Sequence, residues 1–225
     1  MGRTAETKYV DGYLDSTTAH KLSNNDDTWA DCELNPRQQT AVYGCLPVPQ
    51  QGTGYADRDG RRIFMKTIRV AGHVVFNQVD TGTAALHGGY VRIVIVKDTR
   101  TNGTALSAEN VLGPGIGSDG NASLSADAAG MLMTKPDGWG RYKILYSKVI
   151  KRPPTSAFND GTDGAWNGQR VPFKFSIKCN CTMNFNASTG LVGSIVDNSF
   201  HLLACHSQAS GSADITYVAR ASFTG

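Results

Sequence analysis

The chain has 225 residues, of which 40% are hydrophobic and 18% charged, enough to bury one sizeable core. A net charge of +3 is too small for a disordered polycation. No apolar run reaches the roughly 18–20 residues that a membrane-spanning helix needs, so no membrane partner is expected.

The charge is uneven along the chain. Residues 1–60 carry five Lys/Arg against nine Asp/Glu, and residues 61–225 carry seventeen against ten. The later three-quarters is therefore the part suited to meeting an anion. The opening MGRTAETKYVDG has no hydrophobic signal core, and Glu6 breaks the myristoylation pattern. The expectation is a chain made in the cytosol.

The predicted elements are nearly all strands. The first is 8–14 (KYVDGYL). The second, 62–77, follows a glycine-punctuated loop ending in Arg-Asp-Gly-Arg-Arg. Its even positions Phe64, Ile68, Val70, Gly72, Val74 and Phe76 are apolar or small, while Thr67, Arg69, His73 and Asn77 take odd positions. That period of two predicts a half-buried strand, with Lys66 out of phase and signalling a bulge or an exit at the sheet edge. The third is 90–98 (YVRIVIVKD) and the fourth 141–151 (RYKILYSKVIK).

From Val171 to Phe185 every odd position is apolar or Cys, which predicts strands 171–178 and 181–185 with a bend near Cys179. The last two are 200–206 (FHLLACH) and 215–223 (ITYVARASF). No long amphipathic helix is predicted, only a possible single turn at 106–112. The connections 15–61, 99–140 and 151–170 are long and rich in Gly, Asn, Asp, Ser and Pro; loops of that length are commonly functional. The expected fold is all-β: one domain spanning 1–225, an eight-stranded antiparallel jelly-roll β-sandwich with long inter-strand loops.

Catalytic spacing is missing from the sequence. There is no G-x-S-x-G elbow, H-E-x-x-H pair or Walker loop, and no pair of carboxylates on one strand face. The glycine-rich run 112–117 is neither fed by a strand nor followed by a helix. No enzyme and no cofactor is expected. Cys179 and Cys181 with His201 and His206 have the residue types of a zinc site. Both cysteines, however, fall on the apolar phase of their run, which predicts small buried hydrophobes and no metal. His73 and His201 fall on polar phases, where a solvated or interface position is expected.

Cations are the better lead. Arg58, Arg61, Arg62, Lys66 and Arg69 lie within twelve positions; Arg141, Lys143, Lys148, Lys151 and Arg152 form a second set; Arg170, Lys174 and Lys178 line a third segment. Such groups contact backbone phosphate without reading a base, which suits indiscriminate packaging. Solvated strand faces have the same composition. The candidates for nucleic-acid binding are Arg58, Arg61, Arg62, Lys66, Arg69 and Lys143. The loop tryptophans Trp29, Trp139 and Trp166 are candidates for contact between subunits, with base stacking as the other use of such rings.

Several motifs, in order, resemble the coat proteins of circovirus-like viruses, small viruses with circular single-stranded DNA. They are KYVDGYLDST, the QGTGYADRDGRRIF stretch, GYVRIVIVKDTRTNG with Arg92, Asp98 and Gly103, GQRVPFKFSIKCNC and DITYVARASFTG. The resemblance implies a single satellite-virus-type jelly roll whose subunits close into a small icosahedral shell of sixty equivalent copies. It implies a single-stranded DNA cargo held through phosphate contacts, a virion location and passage through the host nucleus during assembly. Family members usually begin with an arginine-rich arm; here only Arg3 and Lys8 lie near the start, so the expectation is either that the arm was removed or is not represented in this sequence, or that the shell relies on strand-borne cations. Two alternatives share the fold: a cellular jelly-roll module of carbohydrate-binding type, and the coat of a small RNA satellite virus. A carbohydrate module would show surface aromatics on one sheet face.

Overall fold

The computed structural model describes residues 6–14, 20–23, 30–31, 35–36, 44–76, 90–106, 108–112, 133–151, 169–206 and 212–225. Within them run the strands β1 (Lys8–Leu14), β2 (His20–Ser23), β3 (Ala30–Asp31), β4 (Asn35–Pro36), β5 (Arg62–Phe76), β6 (Tyr90–Asp98), β7 (Tyr142–Lys151), β8 (Gln169–Asn184), β9 (Ser199–His206) and β10 (Ser212–Thr224). One helical turn, α1, covers Ala108–Val111. The protein is all-β, with two antiparallel sheets that face each other as a β-sandwich. One sheet has the order β4-β1-β10-β5-β8, with β2 also paired to β10; the other has the order β3-β9-β6-β7.

Period-two segments become strands because alternate side chains can then be buried together between the layers. The core takes Ile68, Val70, Val74 and Phe76 from β5, Phe173, Phe175 and Ile177 from β8, and Ile215, Tyr217 and Phe223 from β10. From the other sheet it takes Val91, Ile93, Ile95, Phe200 and Leu202. The four-stranded sheet is covered on its outer side too. Val94, Val96, Leu203 and Cys205 pack there against Leu106, Val111, Leu112 and Tyr142. A strand buried on both faces has no reason to alternate, and all eight residues of β9 are buried.

Three expectations change. The segments 171–178 and 181–185 are one continuous strand, β8, while the short strands β2, β3 and β4 lie in what reads as loop. The bend near Cys179 is a bulge inside the sheet: Met65 pairs with Cys181 and Thr67 with Lys178, so Lys66 faces the two residues Cys179 and Asn180. Asn180 sits at φ 42°, a left-handed position that Asn tolerates better than most residues. The slip reverses the phase of β5. Ile63 and Met65 point into the core, and Phe64, which the even-position pattern assigns inward, is 42% exposed. Finally, His201 is buried rather than solvated: Leu106, Val111 and Leu112 pack on the outer face of its sheet, and its ring meets the Gly44 backbone.

Candidate nucleic-acid interface

Among the described residues, the outer face of the six-stranded sheet is the less covered surface of the sandwich. Its rows follow from register. Asp11 of β1 pairs with Arg220 of β10, Arg220 with Arg69 of β5, and Arg69 with Ser176 of β8. One row along, Tyr13, Val218, Ala71 and Lys174 stand in line; one row the other way stand Tyr9, Ser222, Thr67 and Lys178. Side chains in register share a face. Arg69, Arg170, Lys174 and Lys178 are all exposed. Lys174 and Lys178 are four residues apart, or about 13 Å, and Arg69 lies between them one strand away, about 8 Å from each Cα. This spacing lets separate phosphates of one strand meet separate cations.

Strand β8 is the edge of its sheet and β7 the edge of the other. Both lie on the same flank of the sandwich, where the rings of Tyr146 and Phe175 stack at 4.3 Å. Folding therefore brings together two basic sets that are distant in sequence. Lys143, Lys148 and Lys151 of β7 join Arg170, Lys174 and Lys178 of β8, and neither strand contains an acidic residue. Cations on edge strands also block strand addition, so this flank has a structural use beside its electrostatic one.

The sequence-derived candidates separate into distinct roles. Arg62 and Arg69 are exposed on the six-stranded sheet, and Arg61 is exposed just before β5. Lys66 is half-buried in the bulge and donates to Thr7 Oγ1 at 2.7 Å. Lys143 is exposed but belongs to the other sheet, opposite Lys97.

Arg58 does not belong with them. It is fully buried, donates from Nε to the Pro49 carbonyl at 3.3 Å, and donates from its two terminal nitrogens to the carbonyls of Gly60 and Ala187. Its guanidinium also lies 4.1 Å from the centre of the Phe185 ring. Burial, and then Arg61 nearby, lower its pKa from the ordinary arginine value. A guanidinium consumed by three backbone acceptors ties loops together and does not reach a phosphate. Arg141, one of the second basic set, is also spent: it makes two 3.0 Å bonds to the buried Asp98, and this contact raises its pKa.

Trp139 is 73% exposed, at the end of a 3-10 turn over Pro136–Gly138. Met133 nearby in sequence is also exposed. Trp29 and Trp166 lie outside the described residues. Cys179 and Cys181 are half-buried against the core, as small apolar groups would be. Burial, with Cys181 adjacent, pushes the Cys179 thiol up to about 12. Among the described residues no three His, Cys, Asp or Glu side chains converge as metal ligands.

Sequence reading missed one group on this face. Tyr9 and Tyr55 are exposed with ring centroids 6.5 Å apart and planes 29° from parallel. The Arg220 guanidinium lies 6.0 Å from the Tyr9 ring and is held by two 2.7 Å bonds to Asp11, which raise its pKa. The only signal for them is an aromatic residue on the polar phase of β1; nothing in the sequence pairs it with a loop residue 46 positions later.

No family model matches this chain, and no curated protein matches it.

Proposed function

We propose that this chain is a viral coat protein: a jelly roll whose subunits associate into a small closed icosahedral shell of sixty copies around single-stranded DNA. The observation that carries the reading is the strand order. Leaving aside β2 and β4, the eight remaining strands taken in chain order run 1-8-3-6 in one sheet and 2-7-4-5 in the other, as in two interleaved Greek keys. Viral coats are a recurrent use of that architecture. Two further observations support it. The outer face of the six-stranded sheet and its flank are cationic and carry only short or basic outward side chains on β8, and the exposed Trp139 turn offers an anchor to a neighbouring copy. A virion location, with the host nucleus as the site of assembly, follows from the same reading.

The purified chain is expected to run far above 24 kDa in size-exclusion chromatography and to give uniform small particles by negative-stain microscopy. Their contents should yield to DNase and resist RNase. A species that stays monomeric at every salt and concentration overturns the reading, and contents sensitive only to RNase move it to an RNA satellite coat.

One observation favours a second reading. The exposed Tyr9–Tyr55 pair supplies the surface aromatics on a sheet face that a carbohydrate-binding jelly roll requires. Monomers that retain a neutral oligosaccharide would establish it.

A further inference from the structure

We infer that the Tyr9–Tyr55 pair is a base-stacking site for an unpaired nucleic-acid strand, whose phosphates continue over Arg69 towards Lys174 and Lys178. This deepens the coat reading and rests on it for the identity of the ligand.

Tyr55 is 62% exposed and Tyr9 is 40% exposed, although eight other aromatic rings of the described residues are buried in the core. Exposure of an aromatic on a mobile tip would mean little. Here the tip is pinned. Gln51 N donates to Ser188 O at 2.7 Å, Gly54 N to Asp57 Oδ2 at 2.9 Å, and Arg58 N to Gln50 O at 2.8 Å. The buried Arg58 guanidinium then fixes the base of the same loop. The loop that carries Tyr55 is thus held in place, with the ring beside Tyr9 at a centroid distance of 6.5 Å, which lowers the ordering cost of receiving a planar ligand.

The ground beside the pair is low. Between Tyr9 and Lys178 the row holds only Ser222 and Thr67, whose hydroxyls bond each other at 2.5 Å. The next row holds the Asp11–Arg220 pair, Arg69 and Ser176, and the row beyond it opens onto Ala71 and Val218. From Tyr9 to Lys178 is three strand spacings, roughly 14 Å. A strand lying across this floor would have bases over the tyrosines and phosphates over the cations of β5 and β8. Charge complementarity selects the ligand. The face carries Arg62, Arg69, Arg170, Lys174 and Lys178; of the carboxylates, Asp11 is taken by Arg220, Asp59 beside the tyrosines by Lys8, and Asp214 stands at the end of β10 far from Tyr9. A duplex keeps its base faces covered, whereas an unpaired strand offers a π-face at every nucleotide, and a β-sheet with surface aromatics is a known kind of platform for such strands.

The test is fluorescence anisotropy with a labelled oligothymidylate and with an abasic deoxyribose-phosphate strand of equal length, on the full chain, with particle formation followed by microscopy in the same samples. The wild type should prefer the oligothymidylate. Tyr55→Ala should weaken oligothymidylate binding about 5- to 100-fold, the value of one stacked base, with the salt dependence unchanged and binding of the abasic strand unaffected. Tyr55→Phe should restore it. Arg69→Ala should instead lower the slope of log K against log salt by about 0.7.

Equal binding of the two strands, or oligothymidylate binding by Tyr55→Ala equal to the wild type, overturns the inference. So does a Tyr55-dependent retention of a neutral oligosaccharide without oligothymidylate binding. If particles form and Tyr55→Ala changes nothing, the stacking site fails and the coat reading stands. If base-dependent binding is seen without particles, the reverse holds.

Discussion

Replacing Arg58 with alanine separates a structural cation from a nucleic-acid ligand. The side chain is fully buried, caps the carbonyls of Pro49, Gly60 and Ala187, and lies over Phe185. The variant orphans the Pro49 carbonyl, whose residue is buried, at a cost of about 1–3 kcal/mol. Gly60 is half-buried and Ala187 exposed, so water replaces the other two bonds at less cost. Loss of the cation–π contact and of the packed guanidinium adds about 1–2 kcal/mol, and relief of the buried charge offsets part of the total. The net is a destabilisation of about 3 kcal/mol. For a chain of this size it corresponds to a melting temperature about 6–12 °C lower. Arg58→Lys should recover little of it, since one ammonium cannot span three acceptors on separate segments. The assay is thermal melting followed by circular dichroism, beside oligonucleotide binding across a salt series. A variant that melts within about 2 °C of the wild type, with a salt slope shallower by about 0.7, would show Arg58 to be a phosphate ligand and refute the reasoning.

Two further outcomes follow from single positions. A Cβ added at Gly72 would stand 2.2 Å from the Thr216 carbonyl oxygen and 2.8 Å from the Tyr217 Cα, both backbone atoms of β10 that cannot turn aside. Gly72→Ala should therefore force β5 and β10 apart and cost about 2–4 kcal/mol by urea unfolding; a neutral substitution would mean that the two strands lie further apart than described. His201 is buried and shares a 2.8 Å hydrogen bond between Nε2 and Ser199 Oγ. Burial lowers its pKa to about 4 despite the opposing pull of Asp98. Because the folded value lies below the unfolded 6.5, the unfolded chain takes up the proton first. The stability from His201 is complete above about pH 6.5, falls as the pH drops towards 4, and levels off below it. Between pH 7 and 4.5 the loss is about 2–3 kcal/mol. His201→Gln should lack this component, and identical pH dependence of urea unfolding in the two proteins would sink it.

The sequence alone determined which segments become strands wherever one face is buried and the other wet. The run from Val171 to Phe185 and the last strand show their period of two because an inward side chain and an outward one have opposite needs. It also placed Cys179 and Cys181 on the core side, and it flagged Lys66 as out of phase. Tertiary structure decided what depends on coverage and on pairing across distant segments. His201 is buried on a sheet face that Leu106, Val111, Leu112 and the Gly44 backbone help to cover, and no local pattern encodes a cover supplied from elsewhere in the chain. The inversion of Ile63, Phe64 and Met65 comes from a bulge whose two sides are more than a hundred residues apart. Among the cations, charge was legible and position was not. Arg58 and Arg69 look alike in sequence, yet one is enclosed by backbone carbonyls and the other stands exposed on the outer sheet face. Only the meeting of β7 with β8, and of Tyr9 with Tyr55, turns scattered basic and aromatic residues into a surface, because adjacency across strands is set by register and layer packing rather than by spacing along the chain.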